Sequence, residues 1–99
     1  MSFDRLRSLL KKMLSFLIEQ SAERDLKRIK RHSPKIFSEI VSKIYSLKDN
    51  PFPSNARKII GLDKAFRIRI GDWRVIYEVD NQQKVIRIFR VRHRREAYR

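Results

Sequence analysis

Phe66-Arg67-Ile68-Arg69-Ile70-Gly71-Asp72-Trp73-Arg74-Val75-Ile76-Tyr77-Glu78-Val79 alternates apolar and polar residues on either side of a Gly-Asp pair. Two runs of period two, separated by two turn-forming residues, read as a β-hairpin. A turn at Gly71-Asp72 pairs Ile70 with Trp73, Ile68 with Val75 and Phe66 with Tyr77, so the apolar set shares one face. The opposite face then carries Arg67, Arg69 and Arg74 side by side. A second reversal, placed at Asn81-Gln82, leads into Lys84-Val85-Ile86-Arg87-Ile88-Phe89-Arg90-Val91. There Ile86 and Ile88 are expected opposite Tyr77 and Val75, with Arg87 and Phe89 joining the basic face. Ser15-Phe16-Leu17-Ile18-Glu19 and Lys58-Ile59-Ile60-Gly61-Leu62 are shorter strand candidates.

Upstream the periodicity is helical. Ala22, Leu26 and Ile29 fall at i, i+4 and i+7 among Arg24, Lys27, Arg28, Lys30 and Arg31, which predicts a short basic amphipathic helix capped by Ser21. Ser33-Pro34 supplies an N-cap and an N1 proline for a second helix. Its buried stripe is Phe37, Ile40, Val41, Ile44 and Leu47, and it ends before Asn50-Pro51. Helices this closely joined form a hairpin, and the apolar face of the strands is the surface they can cover. The basic faces of both helices read equally as solvated surface.

A chain of 99 residues is one domain's worth. Hydrophobic residues at 41% and aromatics at 10% exclude disorder. The 25 Lys and Arg against 11 Asp and Glu leave a net charge of +14, which directs the chain toward nucleic acid or an acidic protein. The absence of cysteine removes disulfides, thiolate nucleophiles and sulfur metal sites. His32 and His93 lack metal-ligand spacing. The longest apolar stretch, Met13 to Ile18, is too short for a membrane span, and the expectation is a cytoplasmic protein with no membrane partner.

Like charges directly opposed across strands cost up to about 1 kcal/mol, so Arg69 against Arg74 calls for a compensating anion or else marks an ordinary solvent-facing surface. Arginine forks match phosphate geometry and cannot deprotonate, so a cluster can hold a phosphodiester and stabilise a pentacoordinate transition state. No paired carboxylates accompany it to hold Mg²⁺. RNA is then favoured over DNA as substrate, because it carries its own nucleophile in the 2′-hydroxyl. The C-terminal run Arg92-His93-Arg94-Arg95-Glu96-Ala97-Tyr98-Arg99 adds an imidazole and a phenol. His93 is an acid/base candidate or a strand-end polar residue; Tyr98 stacks on a base, moves a proton or packs on the sheet.

Ser21-Ala22-Glu23-Arg24-Asp25-Leu26, the hairpin stretch from Phe66 to Val79, and His93-Arg94 with Tyr98 resemble the RelE/ParE superfamily of toxin–antitoxin toxins, closest to the RelE branch. The likeness runs from about Met13 to Arg99. It implies a compact α+β fold, with an N-terminal helical hairpin packed on a twisted antiparallel β-sheet. It also implies ribosome-dependent cleavage of mRNA in the A site, with no cofactor or metal, and neutralisation by a RelB-like antitoxin that is acidic and partly disordered when free. In RelE-type toxins two basic residues alternate before the turn, an arginine opens the next strand and another lies near the C-terminus. Arg67, Arg69, Arg74 and Arg94 occupy those positions here, and Tyr98 matches a C-terminal proton acceptor, though it stands closer to Arg94 than in the pattern. Lys58, Arg87, His93 and Arg95 are the expected supporting RNA contacts. The alternatives are a ParE-like toxin that inhibits DNA gyrase by protein contact, and an inactive homologue that only binds an antitoxin or the ribosome. Residues 1–12 precede the usual start of the family, either as a basic helical extension, with Leu6, Leu9, Leu10 and Met13 at helical spacing, or as an upstream start; residues 13–99 form the toxin domain.

Overall fold

The computed structural model describes residues 14–95. Residues 1–12, read above as an extension, and Tyr98 lie outside that range. The elements run β1 (Ser15–Ile18), α1 (Gln20–His32), α2 (Pro34–Ser46), β2 (Arg57–Lys58), β3 (Ala65–Ile70), β4 (Trp73–Asp80) and β5 (Val85–His93). One sheet orders them β1-β5-β4-β3-β2.

α1 begins at Gln20, one residue earlier than the sequence suggests, and Glu19 rather than Ser21 is its N-cap, without a side-chain cap bond. The cause is β1: the Glu19 N–H donates to the Ile88 carbonyl at 3.0 Å, which holds the helix start against the sheet. Ser33 alone joins the helices. Its N–H donates to the Ile29 carbonyl, and its hydroxyl accepts from the Ile36 N–H ahead of Pro34, so one residue ends α1 and caps α2.

The β3–β4 hairpin has the expected register: Phe66 opposite Tyr77, Ile68 opposite Val75, Ile70 opposite Trp73 and Arg69 opposite Arg74. Gly71 takes φ +60° as the first turn residue, the position that glycine fills in a type II′ turn. The next hairpin departs from expectation. Its turn spans four residues, Asn81 to Lys84, because the Asp80 carboxylate accepts the N–H groups of both Gln82 and Gln83 at 3.0 Å. The Gln83 bond foremost, with Gln82, Lys64 and Arg87 assisting against burial, holds that carboxyl below its usual range. The longer turn puts Ile86 opposite Val79 and Ile88 opposite Tyr77, two residues from the expected pairing.

A bulge then inserts Phe89. Tyr77 pairs with Ile88 but Ile76 pairs with Arg90, so Val91 faces Val75 and Arg92 faces Arg74. The sheet is also mixed: β1 runs parallel to β5, Phe16 opposite Ile86 and Ile18 opposite Ile88, while the other pairings are antiparallel. A parallel neighbour needs a long crossover, here everything from α1 to β4. The strand candidate at residues 58–62 is cut to Arg57–Lys58, because the chain turns at Gly61 with φ +88° and leaves Ile60 fully exposed.

The helices cover one face. Ala22, Ile29, Ile40, Ile44 and Leu47 meet Ile68, Val75, Tyr77, Val79, Ile86, Ile88 and Val91; Val41, expected in this stripe, is exposed. Tyr77 sits at the centre, fully buried, its phenol donating to the Pro51 carbonyl at 2.7 Å. Burial pushes the Tyr77 pKa up to about 12. Below pH 10 that neutral phenol contributes its full stability; between 10 and 12 the unfolded state ionises and the folded state does not. Tyr77→Phe should therefore cost about 1 to 2 kcal/mol at neutral pH. The difference from wild type should shrink by about 2 kcal/mol toward pH 12. Denaturant melts of both proteins across that range check this; a constant difference contradicts it.

Candidate nucleic-acid interface

The face of the sheet away from the helices presents its side chains in rows set by the register. Arg69, Arg74 and Arg92 face one another across β3, β4 and β5. In the next row Arg57 faces Arg67, Arg67 faces Ile76 and Ile76 faces Arg90. The third row runs Ala65, Glu78, Arg87. Rows lie two residues apart, about 7 Å along a strand.

Three predicted site residues thus come together: Arg67, Arg69 and Arg74. Arg69 is exposed and its carbonyl accepts from the Asn55 side chain at 3.2 Å. Arg74 contradicts the expectation of an exposed side chain, being only 6% exposed. Its Nη1 donates to the Gly71 and Trp73 carbonyls at 3.4 and 3.1 Å, tying it to the turn. The Arg74 guanidinium therefore buttresses the hairpin as well as adding charge. Phe89 was expected opposite Arg74, with Arg94 bent over from beyond; the bulge instead places Arg92 there. Arg94 lies beside the turn, its N–H donating to the Asp72 carbonyl at 2.7 Å and its Nε 3.7 Å from the Asp72 carboxylate, with both side chains exposed.

Four expected RNA contacts do not join this cluster. Lys58 pairs with Phe66, which stacks on Tyr77, so its position alternates to the helix-covered side; Arg57, one residue earlier, takes the arginine face. His93 pairs with Trp73, the two rings packing edge to face at 5.3 Å on the helix side. Arg87 lies four residues, about 13 Å, along the sheet from the level of Arg74, bonded to Gln83 and 3.8 Å from Glu19. Arg95 is exposed past the end of β5, its N–H donating to His93 Nδ1 at 3.4 Å.

Arg57 and Arg92 are the residues missed. The signal for Arg92 was present: apolar residues at Ile86, Ile88 and Val91 slip phase by one, as a bulge at Phe89 requires. The bulge also exposes an edge of β5 beyond β1, and α1 closes it. Asp25, 2% exposed, accepts the Val91 N–H at 2.9 Å and Arg90 Nε at 3.0 Å on Oδ2. Its Oδ1 accepts Arg90 Nη2 at 3.2 Å and Arg28 Nη2 at 3.0 Å. Arg90, though opposite Ile76, is thereby turned over the sheet edge. The open face is left with five arginines near the hairpin, the electrostatic footprint of a phosphate-binding surface. Among the described residues no three His, Cys, Asp or Glu side chains converge as a metal site would require, and no helix is long and apolar enough to cross a membrane.

Comparison with known proteins agrees with this architecture. Residues 16–98 match the family described as ParE toxin of type II toxin–antitoxin system. A curated protein of Methanocaldococcus jannaschii named for the toxin RelE1 is 32% identical over 85 residues, 83% of this chain and 91% of that one. The RelE chain of an archaeal RelE–RelB complex from Pyrococcus horikoshii OT3 superposes with a TM-score of 0.69 at 26% identity, covering 86% of this chain and 99% of the other. Isolated E. coli RelE has the same fold at only 13% identity, with a TM-score of 0.70 over 81% of this chain and 83% of that one. The chain is a RelE-like toxin of the type II toxin–antitoxin class and belongs to the RelE/ParE superfamily.

Proposed function

We propose that this toxin is an mRNA endonuclease acting on transcripts in the ribosomal A site. The observation that carries the reading is the row Arg69-Arg74-Arg92 with Arg67 and Arg57 beside it. So many unneutralised guanidinium groups oppose folding unless a polyanion is their partner. Arg67, Arg69 and Arg92 hold the scissile phosphate, and Arg74 supplies fixed positive charge from beneath. The 2′-hydroxyl of the preceding ribose attacks the phosphorus, giving a 2′,3′-cyclic phosphate and a free 5′-hydroxyl. The arginines stabilise the charge that builds on the non-bridging oxygens. Arg94, beside the turn, stabilises charge on the leaving oxygen or protonates it. Tyr98 is the proposed proton acceptor, a role His93 is poorly placed to fill against Trp73.

The partner that silences the toxin is a RelB-like antitoxin, in keeping with the RelE–RelB complex of the archaeal relative. Charge complementarity favours an acidic, partly disordered segment that folds over the arginine face. The site of action is the cytoplasm.

The match to the ParE family supports a second reading, inhibition of DNA gyrase by protein contact. Induced expression followed by mapping of transcript 5′ ends, with a supercoiling assay alongside, separates the two. Codon-phased cuts within coding regions are the expected result. Intact transcripts together with gyrase inhibition would overturn the nuclease reading.

A further inference from the structure

Next to the arginine row the open face sinks into a groove of about 590 Å³, lined by Leu62, Asp63, Lys64, Ala65, Ile76, Glu78 and Phe89. Its floor is apolar and half-buried to buried, with Ala65 5% exposed. Ile76 stands two residues from Arg74 on the same strand and face, about 7 Å away along the backbone, which is of the order of the separation between a nucleotide's phosphate and a neighbouring base. Phe89 enters because of the bulge that also aligns Arg92 with Arg74. One irregularity in β5 therefore builds both the phosphate row and an aromatic wall beside it.

At the far end stands Glu78. It is opposite Arg87, yet Arg87 bonds Gln83 and approaches Glu19, and Glu78 makes no ion pair or side-chain hydrogen bond among the described residues. A half-buried carboxylate left available in a chain of net charge +14 is positioned for donors that are not side chains of its own sheet.

Resting on the RNA reading above, we propose that this groove is a nucleobase subsite that selects guanine next to the phosphate held by the arginines. Phe89 provides the stacking surface, Ile76, Ala65 and Leu62 the apolar bed, and Glu78 accepts the N1–H and N2–H donors of guanine's Watson–Crick edge. Those two donors are adjacent and match a carboxylate's two oxygens; adenine offers one donor beside an acceptor, which a carboxylate repels. Stacking on an aromatic ring is how proteins hold an unstacked RNA base, and edge hydrogen bonds supply the choice among bases. Charge separates this occupant from an acidic antitoxin segment, which Glu78 and Asp63 would repel at this end of the face.

The test uses short 2′-O-methyl oligoribonucleotides in a uridine background, identical except for one internal guanine, inosine or adenine, binding to the whole toxin. Guanine should bind about tenfold tighter than adenine, the discrimination expected of one well-formed edge pair, with inosine between because it lacks the N2 amino group. Glu78→Gln should move the preference toward adenine, because an amide presents the donor and acceptor that adenine complements. A carboxylate that merely supported the sheet would not change the base preferred. Phe89→Ala should weaken all three oligonucleotides about tenfold; Phe89→Leu, which keeps apolar volume without a ring, gives the same readout if the smaller residue unfolds the chain. Equal affinity for guanine and adenine in the wild type, or a guanine preference that survives Glu78→Gln, overturns the subsite. So does a Phe89→Leu toxin that loses antitoxin binding and keeps its RNA affinity. The oligonucleotides cannot be cut, so a base preference without transcript cleavage would discard the nuclease and keep the subsite, and cleavage by a toxin indifferent to the base would do the reverse.

Discussion

Asp25→Ala should cost about 3 kcal/mol of folding stability, more than any other single polar change in the domain. The carboxylate is buried and accepts four hydrogen bonds from three residues, one of them the Val91 N–H, itself within a residue only 1% exposed. Alanine leaves that N–H without an acceptor at a place water does not reach, which costs about 1 to 3 kcal/mol on its own. It also strips two guanidinium groups of their counter-charge, and removal of one partner from a buried charge network costs about 3 to 5 kcal/mol. Here the Arg28 and Arg90 side chains are 52% and 38% exposed and can turn to solvent, which places the sum near the lower bound. A loss of that size lowers Tm by roughly 10 to 20 °C in a domain of this length. Asp25→Asn keeps an acceptor for Val91 and should lose about half as much. Thermal melts of the three proteins decide it; an Asp25→Ala protein within 0.5 kcal/mol of wild type, the range of ordinary surface changes, would mean that the β5 edge does not depend on α1.

The second large effect is on chemistry. Arg69→Ala should lower single-turnover mRNA cleavage on programmed ribosomes by about a hundredfold or more, the loss that follows removal of one preorganised transition-state donor. Its stability should stay within about 0.5 kcal/mol of wild type, because Arg69 is exposed and faces like-charged Arg74. Arg92→Ala should show a comparable loss of cleavage. Arg74→Ala is a less clean probe than its sequence position implies. Its guanidinium is buried and bonded to two carbonyls at the turn, so the variant should lose stability as well as rate. Lys58→Ala and His93→Ala provide the contrast, since both positions alternate to the other side of the sheet, and cleavage should remain within about threefold of wild type. If Arg69→Ala and Arg92→Ala fold normally and cut at the wild-type rate, the row is not the catalytic surface.

These expectations divide according to how far apart in the chain the deciding residues lie. The β3–β4 hairpin was legible from Phe66 to Val79 because a two-residue turn leaves one register, and period-two alternation then assigns each side chain to a face. Arg67, Arg69 and Arg74 are together for that local reason. Ser33-Pro34 was equally plain, since a cap acts on the residues that immediately follow it. Arg74 shows the limit even there: alternation assigns the face, but burial depends on what surrounds the side chain in space.

Past Asp80 local rules no longer suffice. A carboxylate that binds two turn N–H groups stretches the reversal to four residues, and the Phe89 bulge moves every later residue of β5 by one. Together these bring Arg92, not Phe89, opposite Arg74. Asp25 reads along the chain as one more charge on a basic helix, and its acceptor role exists only where α1 crosses an edge of β5 that β1 is too short to cover. The parallel pairing of β1 with β5 joins segments about seventy residues apart. The sequence by itself determined the hairpins' existence, the apolar and basic faces and the family pattern, because those follow from near-neighbour spacing. Tertiary structure alone decided which arginines share a row and which carboxylate holds the edge, because unpaired backbone groups must find partners wherever in the chain they happen to be.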